Sequence, residues 1–139
     1  MKKREPISHI MTKCVVTVNE NDGLRKVVEK LKKHNIRHIP IVRGKDVVGI
    51  ISRTDINRLT LGALFEAQEG ADEAILDMLT IAQVMTSKPK TISSDTIIKD
   101  SAQIFVNEEF HALPVVNNGE LKGIVTTTDI LKYFLEQYD

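Results

Sequence analysis

The chain has 139 residues, of which 42% are hydrophobic and 27% charged, and its formal net charge at pH 7 is zero. This composition is typical of a globular protein the size of one ordinary domain. The neutral charge argues against a broad electrostatic surface for nucleic acid, and no apolar run is long enough to span a membrane. Cys14 is the only cysteine, so no disulfide framework is expected, and we expect a cytoplasmic protein.

The first third of the chain predicts a short helical turn over residues 6–11 and a β-branched strand over 15–18. An amphipathic helix follows, with Asp22 as its N-cap and Asn35 at its end. Its apolar stripe recurs at helical spacing and consists of Leu24, Val27, Val28 and Leu31.

Residues 39–42 and 47–51 predict two strands joined by a tight turn. Pro40 lacks an amide hydrogen, which places the first of these strands at an edge or in an irregular position. Ser52 and Asp55 then open a helix whose expected buried side consists of Ile56, Leu59 and Ala63.

Residues 61–81 predict a structured linker with helical pieces over 63–67 and 72–79, the second of them capped by Asp72. The remainder predicts a helical turn over 81–85, a strand over 91–92 and a helix capped by Thr96. Strands over 113–116 and 121–125 are joined by an Asn-Gly hairpin turn at 117–119. The final helix, 126–138, has an expected apolar side of Ile130, Leu131, Phe134 and Leu135.

The two halves are copies of each other. Gly49-Ile-Ile-Ser-Arg-Thr-Asp55 and Gly123-Ile-Val-Thr-Thr-Thr-Asp129 are 74 positions apart, and the same offset relates Met11-Thr12 to Met85-Thr86 and Pro40 to Pro114. Such an internal repeat indicates duplication. We therefore expect an α+β fold of two β-α-β-β-α repeats related by a pseudo-two-fold axis, sharing one core because each alone is small.

Each repeat places a hydroxyl and, three residues later, an aspartate where a strand turns into a helix. The plain interpretation of Ser52 with Asp55, and of Thr126 with Asp129, is a helix-capping box. The glycine three residues earlier indicates close approach by a ligand or another backbone. A short carboxylate beside a helix N-terminus can also hold the hydroxyls of a ribose near a bound phosphate, which favours a nucleotide.

Other chemistry has little support in the sequence. The four histidines, His9, His34, His38 and His111, show no metal-ligand spacing on one helix. Cys14 has no local base, and no serine or threonine has an activating neighbour. We expect neither an enzyme nor a metal site.

The order of these motifs resembles a tandem pair of cystathionine β-synthase (CBS) domains, also called a Bateman module. The resemblance is carried by the Met-Thr starts, the apolar-Pro-apolar segments and the two Gly-x-x-[Ser/Thr]-x-x-Asp corners, within repeats at 7–60 and 81–138 separated by the linker 61–80. It implies a regulatory module that binds AMP, ADP, ATP or S-adenosylmethionine in clefts between the repeats, requires no cofactor and acts in trans on a regulated protein. It also implies a homodimer.

The resemblance implies two sets of nucleotide-binding residues. The first set is Val16, Thr17, Arg37, His38, Ile39, Pro40, Ser52, Arg53 and Asp55. The second set is Lys90, Thr91, His111, Ala112, Leu113, Pro114, Thr126, Thr127 and Asp129.

The sets differ where a phosphate would lie, since Arg53 corresponds to Thr127, Arg37 to His111 and His38 to Ala112. We therefore expect unequal sites, with the Asp55 corner preferring more highly charged nucleotides. The alternative is a structural dimerisation module without a physiological nucleotide. Nucleic-acid binding and membrane association are not expected.

Overall fold

The computed structural model describes residues 4–59 and 69–138. Within these ranges the chain is α+β, as the sequence predicts. After a 3₁₀ turn (Ile7–His9), the strands are β1 (Val18–Asn19), β2 (His38–Arg43), β3 (Asp46–Ser52), β4 (Thr86–Ser87), β5 (Ala112–Asn117) and β6 (Glu120–Thr126). The helices are α1 (Leu24–Lys33), α2 (Arg53–Leu59), α3 (Glu69–Met78), α4 (Ile81–Val84), α5 (Ile98–Asn107) and α6 (Thr127–Glu136).

The chain folds into two compact units. The first unit is Val16–Pro89, and the second combines Met1–Val15 with Lys90–Asp139. Each unit therefore takes the opening segment of the other repeat. Met85-Thr86 of the second repeat lies in the first unit, whereas Met11-Thr12 of the first repeat lies in the second.

The first unit is built on the antiparallel hairpin of β2 and β3. Strand β1 runs parallel to β2, with Val18 opposite Ile41, and β4 pairs antiparallel with β3. Strand β2 therefore lies between two others, so the edge alternative for Pro40 is wrong, whereas the irregular alternative agrees with the register shift between Ile41 and Val42. The pairing with β1 begins at Ile41, one residue after Pro40, so the missing amide falls just outside it.

The second unit is built on the hairpin of β5 and β6. Its turn residues Asn118 and Gly119 have φ of 54° and 82°, which confirms the predicted Asn-Gly turn. Ile92 forms only an isolated parallel bridge to Val115, so the strand expected at 91–92 is not extended. In the first unit the regular strand is likewise limited to β1, later than the expected 15–18.

The buried apolar side chains form two clusters among the described residues, one in each unit. In the first unit Leu24, Val27 and Leu31 of α1 pack on β2 and β3, as the helical stripe predicts. In the second unit Tyr133 and Ile7 pack with the hairpin and α5. The expected single shared core is therefore replaced by two clusters, because each unit gains apolar cover from the exchanged segment.

Three predicted helix caps are wrong. Helix α1 begins after Gly23 without a side-chain cap, because Asp22 instead accepts a hydrogen bond from the Asn19 amide at 3.2 Å. Helix α5 begins after Ile97, and the Thr96 hydroxyl lies 3.3 Å from the hydroxyl of Ser93. Asp72 falls inside α3, which begins three residues earlier at Glu69. The helical piece expected at 63–67, and Ala63, lie outside the described residues.

Helix α6 is oriented differently from the expectation. Ile130 packs against the core and Tyr133 is 8% exposed, whereas Leu131, Phe134 and Leu135 are 61%, 46% and 67% exposed. The buried face is therefore rotated toward the tyrosine, whose hydroxyl donates to Glu5 at 2.8 Å. In the part of the chain that the structure describes, no helix is long and apolar enough to cross a membrane.

Candidate ligand-binding corners

The first corner lies where β3 ends at Ser52 and α2 begins at Arg53. The Ser52 amide donates to Oδ2 of Asp55 at 2.8 Å, and the Asp55 amide donates to Oγ of Ser52 at 3.1 Å. This reciprocal pair satisfies two backbone donors, as a capping box does. Asp55 is half-buried, and its Oδ1 has no hydrogen-bond partner among the described residues.

The second corner has the same geometry. The Thr126 amide donates to Oδ2 of Asp129 at 2.9 Å, and the Asp129 amide donates to Oγ1 of Thr126 at 3.2 Å. Asp129 is also half-buried, with Oδ1 unpartnered in the same described ranges. The capping interpretation is thus confirmed at both corners, but it uses only one oxygen of each carboxylate.

The segment before each proline lies beside its corner. The Arg53 amide donates to the Arg37 carbonyl at 2.7 Å, and His38 stands opposite Ser52. Thr127 and His111 are joined in the same way at 3.0 Å in the second unit. Each half of the predicted nucleotide set is therefore assembled within one unit.

The residues around each proline differ in what they can offer to a ligand. Ile39 and Leu113 are fully buried and Ala112 is 6% exposed. Pro40 and Pro114 are buried as well. These residues can shape a site through the backbone, while polar contacts must come from their neighbours.

The chain at 16–17 is held by a cation of α1. Strand β1 runs parallel to β2, with Val18 opposite Ile41. Val16 and Thr17 therefore lie beside the residues that come just before Ile41. The Lys30 Nζ donates to the Thr17 carbonyl at 2.7 Å, a contact that the sequence did not suggest.

Lys90 and Thr91 occupy the matching place in the second unit. They precede Ile92, whose amide donates to the Pro114 carbonyl at 3.1 Å. Lys90 is exposed and Thr91 is half-buried.

The cations of the first corner differ in their partners. Nη2 of Arg53 donates to the carbonyl oxygens of Leu31 and Ile36, each at 3.1 Å. Arg37 is exposed, and its side chain makes no hydrogen bond or ion pair in the described part of the chain. The position equivalent to Arg53 is Thr127, which carries no charge.

The corner glycines make room for methionines. A Cβ at Gly49 would overlap the Met85 thioether, and one at Gly123 would lie 2.6 Å from Sδ of Met11 and 2.8 Å from the Thr12 carbonyl oxygen. The close approach expected from the sequence is therefore real, but its cause is a methionine side chain of the opening segment of the other repeat. At Gly123 the Thr12 carbonyl of the same segment also comes close. The repeated Met-Thr pair was the visible signal for this contact.

No group of three histidine, cysteine, aspartate or glutamate side chains that could hold a metal ion occurs in residues 4–59 and 69–138. The corners offer carboxylate, hydroxyl, amide and cationic groups, which suit a polar ligand that carries hydroxyls and negative charge.

Comparison with known families gives a match over most of the chain. The family described as "CBS domain" matches residues 7–62 and 81–136. Protein MJ1225 of Methanocaldococcus jannaschii is 30% identical over 135 residues, 95% of this chain and 48% of that protein. The chain thus spans about half or less of the first three curated relatives it matches.

Solved structures show the same fold. The structure of MJ1225 has a TM-score of 0.81 at 29% identity and covers 96% of this chain and 49% of that one. The CBS domain pair of protein MJ0100, in complex with methylthioadenosine and S-adenosyl-L-methionine, has a TM-score of 0.77 at 29% identity, covering 95% and 97%. CBSX2 of Arabidopsis thaliana in complex with AMP has a TM-score of 0.78 at 22% identity, covering 97% and 99%.

Proposed function

Since this chain belongs to the CBS domain family, we propose that it is a regulatory module whose two corners bind adenosine-containing ligands. In this proposal it performs no catalysis, and ligand binding regulates a partner protein. The ligand is an adenine nucleotide or S-adenosylmethionine.

The observation that carries the proposal is the divided role of Asp55 and Asp129. Each carboxylate caps its helix with Oδ2 and leaves Oδ1 without a partner among the described residues. The vicinal hydroxyls of a ribose are two donors at short spacing, and an ionised carboxylate is their strongest acceptor. A capping role alone explains the position of Oδ2 in each carboxylate and leaves Oδ1 unexplained.

A solved relative supports the class of ligand. The CBS domain pair of MJ0100 holds two adenosine derivatives at 29% identity over nearly the whole of both chains. CBSX2, at 22% identity, supports the fold alone. The side chains that differ in charge between the corners, Arg37 against His111 and Arg53 against Thr127, make the first corner more cationic. It is therefore the corner that should prefer more phosphates.

The carboxylates can be tested by exchanging Asp for Glu. Glutamate is the usual partner in a capping box, so Asp55→Glu and Asp129→Glu should keep helix stability within about 0.5 kcal/mol. The longer side chain moves the free oxygen, so adenosine binding at the altered corner should fall about tenfold, by roughly 1.4 kcal/mol. Calorimetric titration with AMP and ATP, beside urea unfolding, measures both quantities.

Alanine variants provide the matched control. Asp129→Ala removes both functions and should cost about 0.5–1 kcal/mol of stability besides binding. Equal AMP and ATP binding in wild type and both Glu variants would contradict the proposal. Ligand at about a hundred times its dissociation constant should add roughly 2.7 kcal/mol to wild-type stability, and no such shift with any adenosine ligand would favour the structural alternative.

The exposed face of α6 supports homodimerisation as a second role. Leu131, Phe134 and Leu135 lie on α6 at helical spacing, Tyr138 lies just beyond the end of the helix, and all four are at least 46% exposed. An apolar stripe of this kind is typical of a helix that packs against a second copy. Sedimentation should give a dimer for the wild type and a monomer for Leu135→Glu. A monomeric wild type would remove this role and leave the corners unaffected.

A further inference from the structure

The end of α1 is held by hydrogen bonds of its own and by others from the first corner. Helix α1 ends at Lys33, and Asn35 has φ of 51°, in the left-handed region. The Ile36 amide donates to the Leu31 carbonyl at 3.1 Å, and the Asn35 amide to the Lys32 carbonyl at 3.2 Å. This pair of bonds is the Schellman motif, which fixes the direction in which the chain leaves a helix.

Arg53 adds to that motif from the corner. Its Nη2 donates to the Leu31 carbonyl, which the motif already uses, and to the Ile36 carbonyl, and its amide donates to Arg37. A guanidinium is suited to this because its donors are held in one plane. The loop 34–38 is therefore held from the helix end and from the corner, and Arg37 and His38 are carried on it.

The second unit keeps the amide bond, from Thr127 to the His111 carbonyl at 3.0 Å, but it lacks the Schellman motif and the guanidinium. Helix α5 ends at Asn107, and its C-cap Glu108 is extended, with φ of −115° and ψ of 163°. The positions equivalent to Asn35 and Arg53 are Glu109 and Thr127. The left-handed asparagine and the guanidinium thus occur together in one repeat and are missing together from the other, as expected if they act as one device.

We propose that Arg53 is a positioning residue that holds the loop 34–38, and that Arg37 is the residue that recognises the negative charge of the ligand. Arg53 has one terminal nitrogen committed to two carbonyl oxygens, whereas the Arg37 side chain is exposed and unpaired among the described residues. This assignment rests on the proposed function for its ligand, and it gives the preference for charged nucleotides to Arg37.

The test uses the variants R37H, R53T and R53K in the full chain, with Asp129→Ala throughout to silence the second corner. The first two carry the residues of the other repeat, and R53K keeps the charge without the planar donors. Binding of adenosine, AMP and ATP is measured by calorimetry, and exchange of the Asn35 and Ile36 amides is measured by NMR.

For R37H we expect ATP affinity to fall about tenfold and adenosine affinity to change less than about twofold, with amide exchange unaltered. For R53T and R53K we expect exchange at Asn35 and Ile36 to quicken about fivefold or more, and all three ligands to weaken by a similar factor.

Two results would overturn the assignment. One is loss of ATP binding alone in R53T with unaltered exchange, which would make Arg53 the anion ligand. The other is unchanged ATP preference in R37H. If no adenosine ligand binds the parent chain, the proposed function and the role of Arg37 both fail, while the exchange rates still decide whether Arg53 holds the loop.

Discussion

At the scale of single residues, the corner glycines show how the absence of a Cβ atom allows a close contact. Gly49 and Gly123 occur in strands, where glycine weakens pairing, and the sequence alone left the reason open between a ligand and a backbone. The structure gives a methionine side chain at both positions and a carbonyl oxygen at the second. These two environments respond differently to an added methyl group.

We expect Gly49→Ala and Gly123→Ala each to destabilise the chain by about 1–3 kcal/mol, because the Cβ overlaps the methionine. Truncation by Met85→Ala should recover part of that loss in Gly49→Ala, since the atoms in the way belong to a flexible side chain. Met11→Ala should recover less in Gly123→Ala, because the Thr12 carbonyl remains. Urea unfolding of the two double-mutant cycles measures the difference, and equal recovery would contradict it.

The phenol of Tyr133 predicts a pH dependence. Its hydrogen bond to Glu5, helped by burial and by the Glu5 charge, raises the pKa of Tyr133 above its usual value. A raised folded-state pKa means that this stabilisation is complete below the unfolded value of about 10 and is lost as the pH rises through the folded pKa.

Wild-type stability should therefore fall at alkaline pH more steeply than that of Tyr133→Phe, which cannot donate this bond. Unfolding followed at several pH values for both proteins measures the difference. Parallel pH profiles for wild type and variant would contradict this role.

At the scale of helices and strands, the ends proved harder to predict than the periodic interiors. The α1 stripe and both hairpins follow from local spacing and from turn chemistry such as Asn118-Gly119. The caps assigned to Asp22 and Thr96 failed because short polar side chains bond equally well to nearby loop groups. Tyr133 was missed as a core residue because the acceptor of its hydroxyl, Glu5, is distant in sequence.

The end of α1 gives a prediction for this scale. Asn35 has a left-handed backbone that alanine adopts at a cost of about 1–2 kcal/mol and glycine adopts freely. Asn35→Ala should therefore lower the free energy of unfolding by about 1 kcal/mol, while Asn35→Gly should stay within about 0.5 kcal/mol of wild type. Urea denaturation with an unchanged m value measures both, and an equal loss would show that the asparagine side chain matters instead.

At the scale of the whole molecule, the repeats in the sequence and the compact units are different divisions of the chain. Ile7 and Ile81 are equivalent in the repeats, and both are fully buried. Ile7 packs in the second unit and Ile81 in the first. The duplication and the corners could be predicted from spacing, but this exchange could not, because similar copies offer each segment two equivalent places to pack.

The exchange of opening segments predicts which hairpin is destabilised when a buried isoleucine is truncated. Ile7→Ala and Ile81→Ala should each cost about 2–5 kcal/mol, because each leaves a void in a buried cluster. Amide exchange measured by NMR should quicken in β5 and β6 for Ile7→Ala, and in β2 and β3 for Ile81→Ala. The opposite pattern would mean that each repeat packs on its own opening segment.

The crossed opening segments carry a consequence for dividing the molecule. A cut between the two repeats would produce fragments that each hold the apolar cover of the other's hairpin, Ile7 in one piece and Ile81 in the other. Neither piece should be stable by itself. Mixed at equal concentration they should reassociate into a native complex, so this chain is suited to serve as a split reporter whose halves regain structure only together.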